Sequence, residues 1–300
     1  LKHFALFPGQ VVVAIGKNTN SRFIVDKLCT TAVLPLPPCL PEFKGGHLQI
    51  VIASGPFTQN DNLAYQPLID LVSYITIHKP HLVFVVGPVV PTSHPLITSG
   101  TLAETYEELF DKVVSSIMEP LKGSWTKVVI VASSQDATAL PVYPTPPLLY
   151  KHKYSNLNFV ADPSLLSING LVMAITATDI LKHLGKVELA SSGQDDRLGR
   201  LASHLVEQQR FYPLSPPDKE LCIDSELYDS HAMLSVTPHI LIVPSDLHYF
   251  IKLIHGSVVI NPEHLSKGTD AGSFVRLRIQ PPVDGIWSTS THISAQILKI

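Results

Sequence analysis

Carboxylates and imidazoles able to grip a catalytic cation are sparse in this chain at the places where a sheet-based hydrolase would keep them. Five apolar runs, each of a kind that forms a buried strand, end in short loops. Val51-Ile52-Ala53 leads into Ser54-Gly55-Pro56-Phe57, Leu82 to Val86 into Gly87-Pro88-Val89-Val90-Pro91, and Val128 to Val131 into Ala132-Ser133-Ser134-Gln135-Asp136. Val172 to Ile175 leads into Thr176-Ala177-Thr178-Asp179, and Ile240 to Val243 into Pro244-Ser245-Asp246-Leu247-His248. Hydrolysis assisted by two metal ions needs several carboxylates and imidazoles converging on cations about 3.5–4 Å apart. Asp136, Asp179, Asp246 and His248 carry suitable atoms; Ser, Pro, Val and Gln cannot supply the rest. Their plain reading is as loop caps and turn formers. The pattern is that of an enzyme scaffold without its chemistry, and so of a non-catalytic protein that binds other proteins, with no metal and no cofactor. The rival reading is an active metal-dependent phosphoesterase on the same loops.

Other chemistries find less support. Ser133, His248 and Asp179 assemble into a triad only on paper, because no nucleophile-elbow pattern surrounds the serine. Gly55 and Gly87 sit where strand-end loops can cradle anions, yet neither a dinucleotide fingerprint nor a P-loop is present. Cys29, Cys39 and Cys222 match no zinc or disulfide spacing, which fits a reducing compartment, nucleus or cytosol. None of the fourteen histidines forms a His-x-x-x-His pair or flanks a cysteine pair, and they read as surface and core-edge residues.

The elements that would position such loops follow from length and pattern. Three hundred residues, 45% apolar and 16% charged, make a globular chain of about two domains. A net charge of −3 gives no basic footprint for nucleic acid, so DNA contact is expected to be indirect or weak. No apolar run approaches the ~20 residues of a membrane span, and the start at Leu1 resembles neither a signal peptide nor an initiator methionine, as in a chain trimmed upstream.

Phe7 to Gly16 and Arg22 to Leu28 read as two strands around the turn Lys17-Asn18-Thr19-Asn20. Leu34 to Pro41 carries four prolines in seven positions, a stiff linker that divides residues 1–40 from 41–300. Beyond Leu48 strands alternate with helical segments, an α/β arrangement of layered sheet and helices. Helices are predicted over Asp61 to His78, Glu104 to Leu121 and Asp196 to Gln209. Ser191 to Arg197 reads as a loop entering the last of these, and Leu140 to Pro147 as a proline-rich loop crossing strand ends. Gly256 to Ile260, Ser273 to Ile279 and His292 to Ile300 alternate apolar and polar residues, predicting a terminal meander. Tyr212 and Leu214, stiffened by Pro213 and Pro216, together with Tyr228, are candidates for partner binding, with core packing as the rival. Arg22, Lys27, Arg276 and Arg278 could touch nucleic acid, or be scattered solvated charges.

Six segments, in order, carry a resemblance. They are Phe7-Pro8-Gly9-Gln10-Val11-Val12, Gly55-Pro56-Phe57-Thr58, Pro141-Val142-Tyr143-Pro144, Phe211-Tyr212-Pro213-Leu214-Ser215-Pro216-Pro217, Val243-Pro244-Ser245 and Val259 through Gly268. Together they resemble the B subunits of replicative DNA polymerases, and those of polymerase alpha more than delta or epsilon. The resemblance implies a calcineurin-like phosphoesterase fold that has lost activity, joined to an OB-fold barrel of which residues 1 to about 40 supply the last part. It implies docking on the C-terminal zinc-binding domain of the catalytic subunit, within a nuclear, primase-containing complex that starts DNA chains.

Carried over from the active phosphoesterases that the resemblance implies as relatives, Asp-x-His falls on Ser54-Gly55-Pro56 and Gly-Asp-x-x-Asp on Gly87-Pro88-Val89-Val90-Pro91. Gly-Asn-His-Glu or Gly-Asn-His-Asp falls near Ser133-Ser134-Gln135-Asp136, the later lone His near Thr178-Asp179, and Gly-His-x-His near Pro244-Ser245-Asp246-Leu247-His248. The degenerate positions are thus Ser54, Pro56, Pro88, Pro91, Ser134, Gln135, Asp136, Asp179, Ser245 and His248.

Overall fold

A computed structural model of the chain describes residues 3–29, 33–38, 41–42, 46–151, 154–191 and 196–300. Leu1, Cys39, the 39–40 end of the proline-rich stretch with the boundary placed there, and residues 192–195 of the predicted loop lie outside these.

The chain opens with β1 (Phe4–Leu6), β2 (Val13–Thr19) and β3 (Arg22–Cys29). A first run of alternating elements follows: β4 (Leu48–Ser54), α1 (Gln66–His78), β5 (Leu82–Val86), α2 (Pro95–Thr98), α3 (Tyr106–Met118), β6 (Lys127–Val131) and β7 (Leu157–Val160). The second comprises β8 (Ser164–Ile168), β9 (Leu171–Ile175), α4 (Ile180–Val187), β10 (Leu189–Ser191), α5 (Arg197–Gln208), α6 (Ser225–His231), β11 (Ile240–Ile242), β12 (Phe250–Ile254) and β13 (Ser257–Asn261). Last come β14 (Ser266–Lys267), β15 (Asp270–Ala271), β16 (Ser273–Ile279), α7 (Thr289–His292) and β17 (Ile293–Lys299).

Two mixed sheets result. The first runs β17-β16-β4-β5-β6-β7, with β4 to β7 parallel and β16 and β17 antiparallel at one edge. The second runs β12-β13-β11-β9-β8, its inner three strands parallel. Alternate residues of each strand point to opposite faces. Ile50, Ile52, Phe84 and Val86 therefore meet Met173, Ile175, Ile240, Ile242 and Ile260 between the sheets. Val51, Val83, Val85 and Ile130 face outward onto Leu68, Leu71 and Ile75 of α1 and Val113 and Ile117 of α3. Ala174, Leu241 and Val259 face Ile180 and Leu184 of α4 and Leu201 and Leu205 of α5. Four layers, helix, sheet, sheet, helix, thus cover both faces of each sheet, which is why the inner strands are continuous apolar runs. Each fully buried Ile or Leu contributes about 1.5–3 kcal/mol.

Helix boundaries differ from the sequence reading for local reasons. α1 starts at Gln66 rather than Asp61, because Asn62 folds into a turn that accepts the Ala64 N–H and Tyr65 is left-handed, with φ 54. Thr105 and Glu108 form a reciprocal cap, so α3 begins at Tyr106. The terminal meander is corrected: β13 belongs to the second sheet, parallel to β11, and only β16 and β17 pair with one another. All five β13 residues are buried, as an interior strand requires, whereas a one-sided meander would leave alternate residues in water.

At the N-terminus β1 pairs with β10, and Phe7 enters the core beneath the second sheet. Among the described residues β2 and β3 pair only with each other, in a ribbon exposing Val13, Ile15, Phe23 and Ile24. No described helix is long and apolar enough to cross a membrane.

Candidate functional site

The carboxyl ends of the parallel strands are where open α/β sheets bind ligands. Backbone fills that edge of the first sheet. The Gly55 N–H donates to the Val86 carbonyl (2.8 Å), Gly87 to Val131 (3.0 Å) and Ala132 to Val160 (3.0 Å), so each loop leans on the next strand. A Cβ on Gly55 would come 2.0 Å from the Pro88 oxygen, and one on Gly87 would come 2.8 Å from the Ser133 Cβ. Glycine is required for this approach. The segment after β13 closes over the same loops, Leu265 N–H donating to Ser54 and Ser266 N–H to Pro56. Phe57, Val89 and Val90 are wholly buried there.

Ser54, Pro88, Pro91 and Ser245 are buried, Pro56 and Ser134 half-buried, and Gln135 exposed, while His248 lies at the surface. Asp136 is buried and clamps two loops. Its carboxylate accepts from the N–H groups of Val89 (2.6 Å) and Val90 (3.1 Å), and from the N–H (3.1 Å) and hydroxyl (2.8 Å) of Thr138. Burial raises its pKa against the pull of these hydrogen bonds.

The second sheet brings Asp179 and Asp246 together. Asp179 caps α4, accepting from Lys182 N–H (3.0 Å) and from Asp246 N–H (2.8 Å). Asp246 pairs with His264 Nε2 (3.1 Å) and with the Lys182 ammonium. The His264 hydrogen bond, followed by that of Lys182, holds the Asp246 carboxyl far below the usual carboxylate range, although burial opposes it. Ligand atoms of Asp179, Asp246 and His264 lie within 4.8 Å of one another, and a similar trio joins His183, Asp218 and Glu220. Both are compensated internally: the Lys186 ammonium is 3.0 Å from Asp218, and Lys182 already neutralises Asp246. His248 stands apart from Asp246, facing Glu263 at 3.4 Å, which Lys267 also holds at 2.9 Å. These contacts position loops.

Asp162 and His264 escape a reading of the sequence. Asp162 is fully buried and accepts from the hydroxyls of Thr176 (2.7 Å) and Thr178 (2.9 Å) and from Ala177 N–H (2.9 Å). Burial pushes its pKa up to about 6 despite those bonds. The available signals were an acid directly before Pro163 at the entry to β8, and Thr-Ala-Thr at the end of β9.

The partner-binding assignment of Tyr212 and Leu214 is corrected. Both are buried in the second core, where Tyr212 receives an N–H from Asp218 and meets His183 Nδ1, each at 3.0 Å. The prolines fix a core-filling loop. Tyr228 is half-buried, its hydroxyl donating to the Tyr212 carbonyl and its ring lying under Arg210.

Comparison with known proteins places these features in a lineage. Residues 50–252 match the family of the DNA polymerase alpha/epsilon B subunit. The DNA polymerase alpha B subunit of Mus musculus is 37% identical over 311 residues, covering 100% of this chain and 52% of the relative. That of Drosophila melanogaster is 39% identical over 287 residues, covering 95% of this chain and 46% of the relative. The chain thus spans about half the length of the curated relatives it matches. Among solved structures, TT1561 of Thermus thermophilus is similar at 13% identity and a TM-score of 0.39, covering 83% of this chain and 98% of that one. A novel archaeal phosphodiesterase is similar at 10% identity and a TM-score of 0.37, covering 84% and 100%. With the family match extending over most of both sheets, the chain belongs to the DNA polymerase alpha/epsilon B-subunit family.

Proposed function

We propose that this chain is the non-catalytic body of an accessory subunit of the nuclear DNA polymerase alpha–primase complex, one that docks on the C-terminal zinc-binding domain of the catalytic subunit and reaches primase through the assembly. The family match carries the reading, and the packed strand ends support it. Asp136, the only acid among the former ligand positions of the first sheet, is committed to holding Val89, Val90 and Thr138 in place. The loss of the metal ligands at Ser54, Pro56, Pro88, Pro91, Ser134, Gln135 and Ser245 belongs to this proposal. So does the division at about residue 40, with the ribbon β2–β3 as the last part of an OB-fold barrel. Its exposed Val13, Ile15, Phe23 and Ile24 suit a face that further strands would cover. Tyr228 stays a candidate contact.

The test is association. The chain mixed with the zinc-loaded C-terminal domain of the alpha catalytic subunit should co-elute as a 1:1 pair in size exclusion; separate elution at micromolar concentrations would remove the proposal. One observation favours the alternative, an active metal-dependent phosphoesterase: Asp179, Asp246 and His264 offer three ligand atoms at one edge. Lys182 stands against it, because its ammonium already occupies the charge of that cluster.

A further inference from the structure

At the opposite end of the molecule, where the parallel strands of the first sheet begin, several cations gather. Sheet order places β16, β4, β5 and β6 side by side. Arg278 sits on β16 opposite Gln49, His47 precedes β4, His81 precedes β5 and Lys127 opens β6. The His81 N–H donates to the Gln49 carbonyl and the Lys127 N–H to the His81 carbonyl, both at 3.0 Å, so these residues form a row across the sheet edge. Neighbouring strands are about 4.8 Å apart, which makes the row roughly 14 Å from β16 to β6. Arg276 and His78 flank one end, lining a hollow with Arg278, and Lys79 lies beside Trp125 near the other.

Lys79, Lys127, Arg276 and Arg278 pair with no carboxylate among the described residues. Burial first, then the charges of Arg278 and His81, lower the pKa of His47, as expected where positive groups crowd one another. His47, His81 and Lys127 line a groove of about 1050 Å³ together with Leu48, Leu82, Ile168 and Trp125, while Arg276 and Arg278 line the neighbouring hollow on the other face of β16. Glu42 is the single acid among the groove's described lining residues. Trp125 is 67% exposed, its indole N–H is satisfied by the Lys79 carbonyl (3.2 Å), and the Lys79 ammonium stands over the ring at 5.9 Å, so the ring is held with a cation beside it.

Cations free of carboxylate partners, spread across one sheet edge from the Arg276–Arg278 hollow to a groove that holds Lys127 and a fixed aromatic ring, make a combination that binds single strands, phosphates on the cations and bases on the ring. An acidic peptide could use the cations, but would leave the indole and the length of the row less fully used. We infer that this edge binds single-stranded nucleic acid without sequence preference, through Lys79, Lys127, Arg276, Arg278 and Trp125. The net charge of the whole chain conceals the site because only one described acid, Glu42, lines the groove. The inference goes beyond the accessory role and is independent of it, since the chain alone is the binder.

Fluorescence anisotropy of a labelled 25-residue oligothymidylate, titrated with the 300-residue chain at 50 mM salt, tests it. Three to four phosphate contacts give a slope of log affinity against log salt of about −2 to −3. Lys127→Glu with Arg278→Glu should weaken binding at least tenfold, and Trp125→Ala about tenfold. Lys17→Glu, on the ribbon far along the chain, should leave it unchanged. Circular dichroism and melting of each variant must match the parent. Absence of binding at 50 mM salt, or binding that ignores the edge substitutions in folded variants, overturns the inference. Displacement of the oligonucleotide by poly-glutamate at equal charge concentration would also overturn it, assigning the edge to an acidic protein segment.

Discussion

Replacing Asp136 by alanine separates a loop clamp from a vestigial metal ligand. The N–H groups of Val89 and Val90 lie at wholly buried residues and have the Asp136 carboxylate as their acceptor, at 2.6 and 3.1 Å. A buried donor left without a partner costs about 1–3 kcal/mol. Two orphaned donors, with the lost contacts to Thr138, should therefore remove about 3–5 kcal/mol, a large share of the ~5–15 kcal/mol typical of a folded domain. Asp136→Asn keeps one accepting oxygen but turns the other into a donor facing donors, so it recovers no more than about half of that loss. Urea unfolding at pH 7, followed by tryptophan fluorescence, reads the effect as a lowered midpoint at constant slope. A functional ligand strained for cation binding behaves oppositely, because removing an unneutralised buried charge is neutral or stabilising in the metal-free protein. Stability of Asp136→Ala within about 0.5 kcal/mol of the parent would refute the clamp.

Further perturbations test other parts of the structure. The folded-state pKa of Asp162, about 6, lies above its unfolded value of 3.8, so the folded chain keeps this proton to higher pH. Its contribution is full below about pH 4 and is lost by about pH 6, roughly 3 kcal/mol; the stability difference between the parent and Asp162→Asn, measured by denaturant unfolding at pH 4 and pH 7, should shift by that amount. Glu188 runs the other way: burial alone would raise its pKa, but hydrogen bonds from His204 and Arg200 and their charges pull it down to about 2 from 4.5. Stability from that pair is full above about pH 4.5 and lost toward pH 2, roughly 3 kcal/mol, and Glu188→Gln should flatten this acid limb in thermal melts. Tyr212→Ala should cost about 3–5 kcal/mol in unfolding, as for any large core aromatic, whereas a surface anchor would leave stability unchanged and weaken only association.

The strands most legible in the sequence were those covered on both sides. Val51 to Ala53, Leu82 to Val86, Val128 to Val131, Val172 to Ile175 and Ile240 to Val243 are continuous apolar runs because helices pack on one face and the other sheet on the opposite face. The loops that follow them were placed correctly for the same reason. What a linear pattern could not show was partition. Ser257–Asn261 and Ser273–Ile279 look alike as apolar stretches, yet one is interior to the second sheet and the other pairs with β4 in the first. Tyr212 reads equally as anchor or core until His183 and Asp218 are seen around its hydroxyl. Asp246 and His264 come from different loops, so their pairing depends on strand order. The cationic row depends on it too, since Arg278 and His47 are remote in sequence and adjacent only through the β16–β4 register.

The most direct test of a strand-end edge given over to loop packing is manganese binding and phosphodiester hydrolysis by the purified chain. Less than stoichiometric metal after desalting and no saturable turnover of bis(p-nitrophenyl) phosphate are expected. Two equivalents of tightly held manganese, with saturable turnover abolished by His248→Ala, would contradict it.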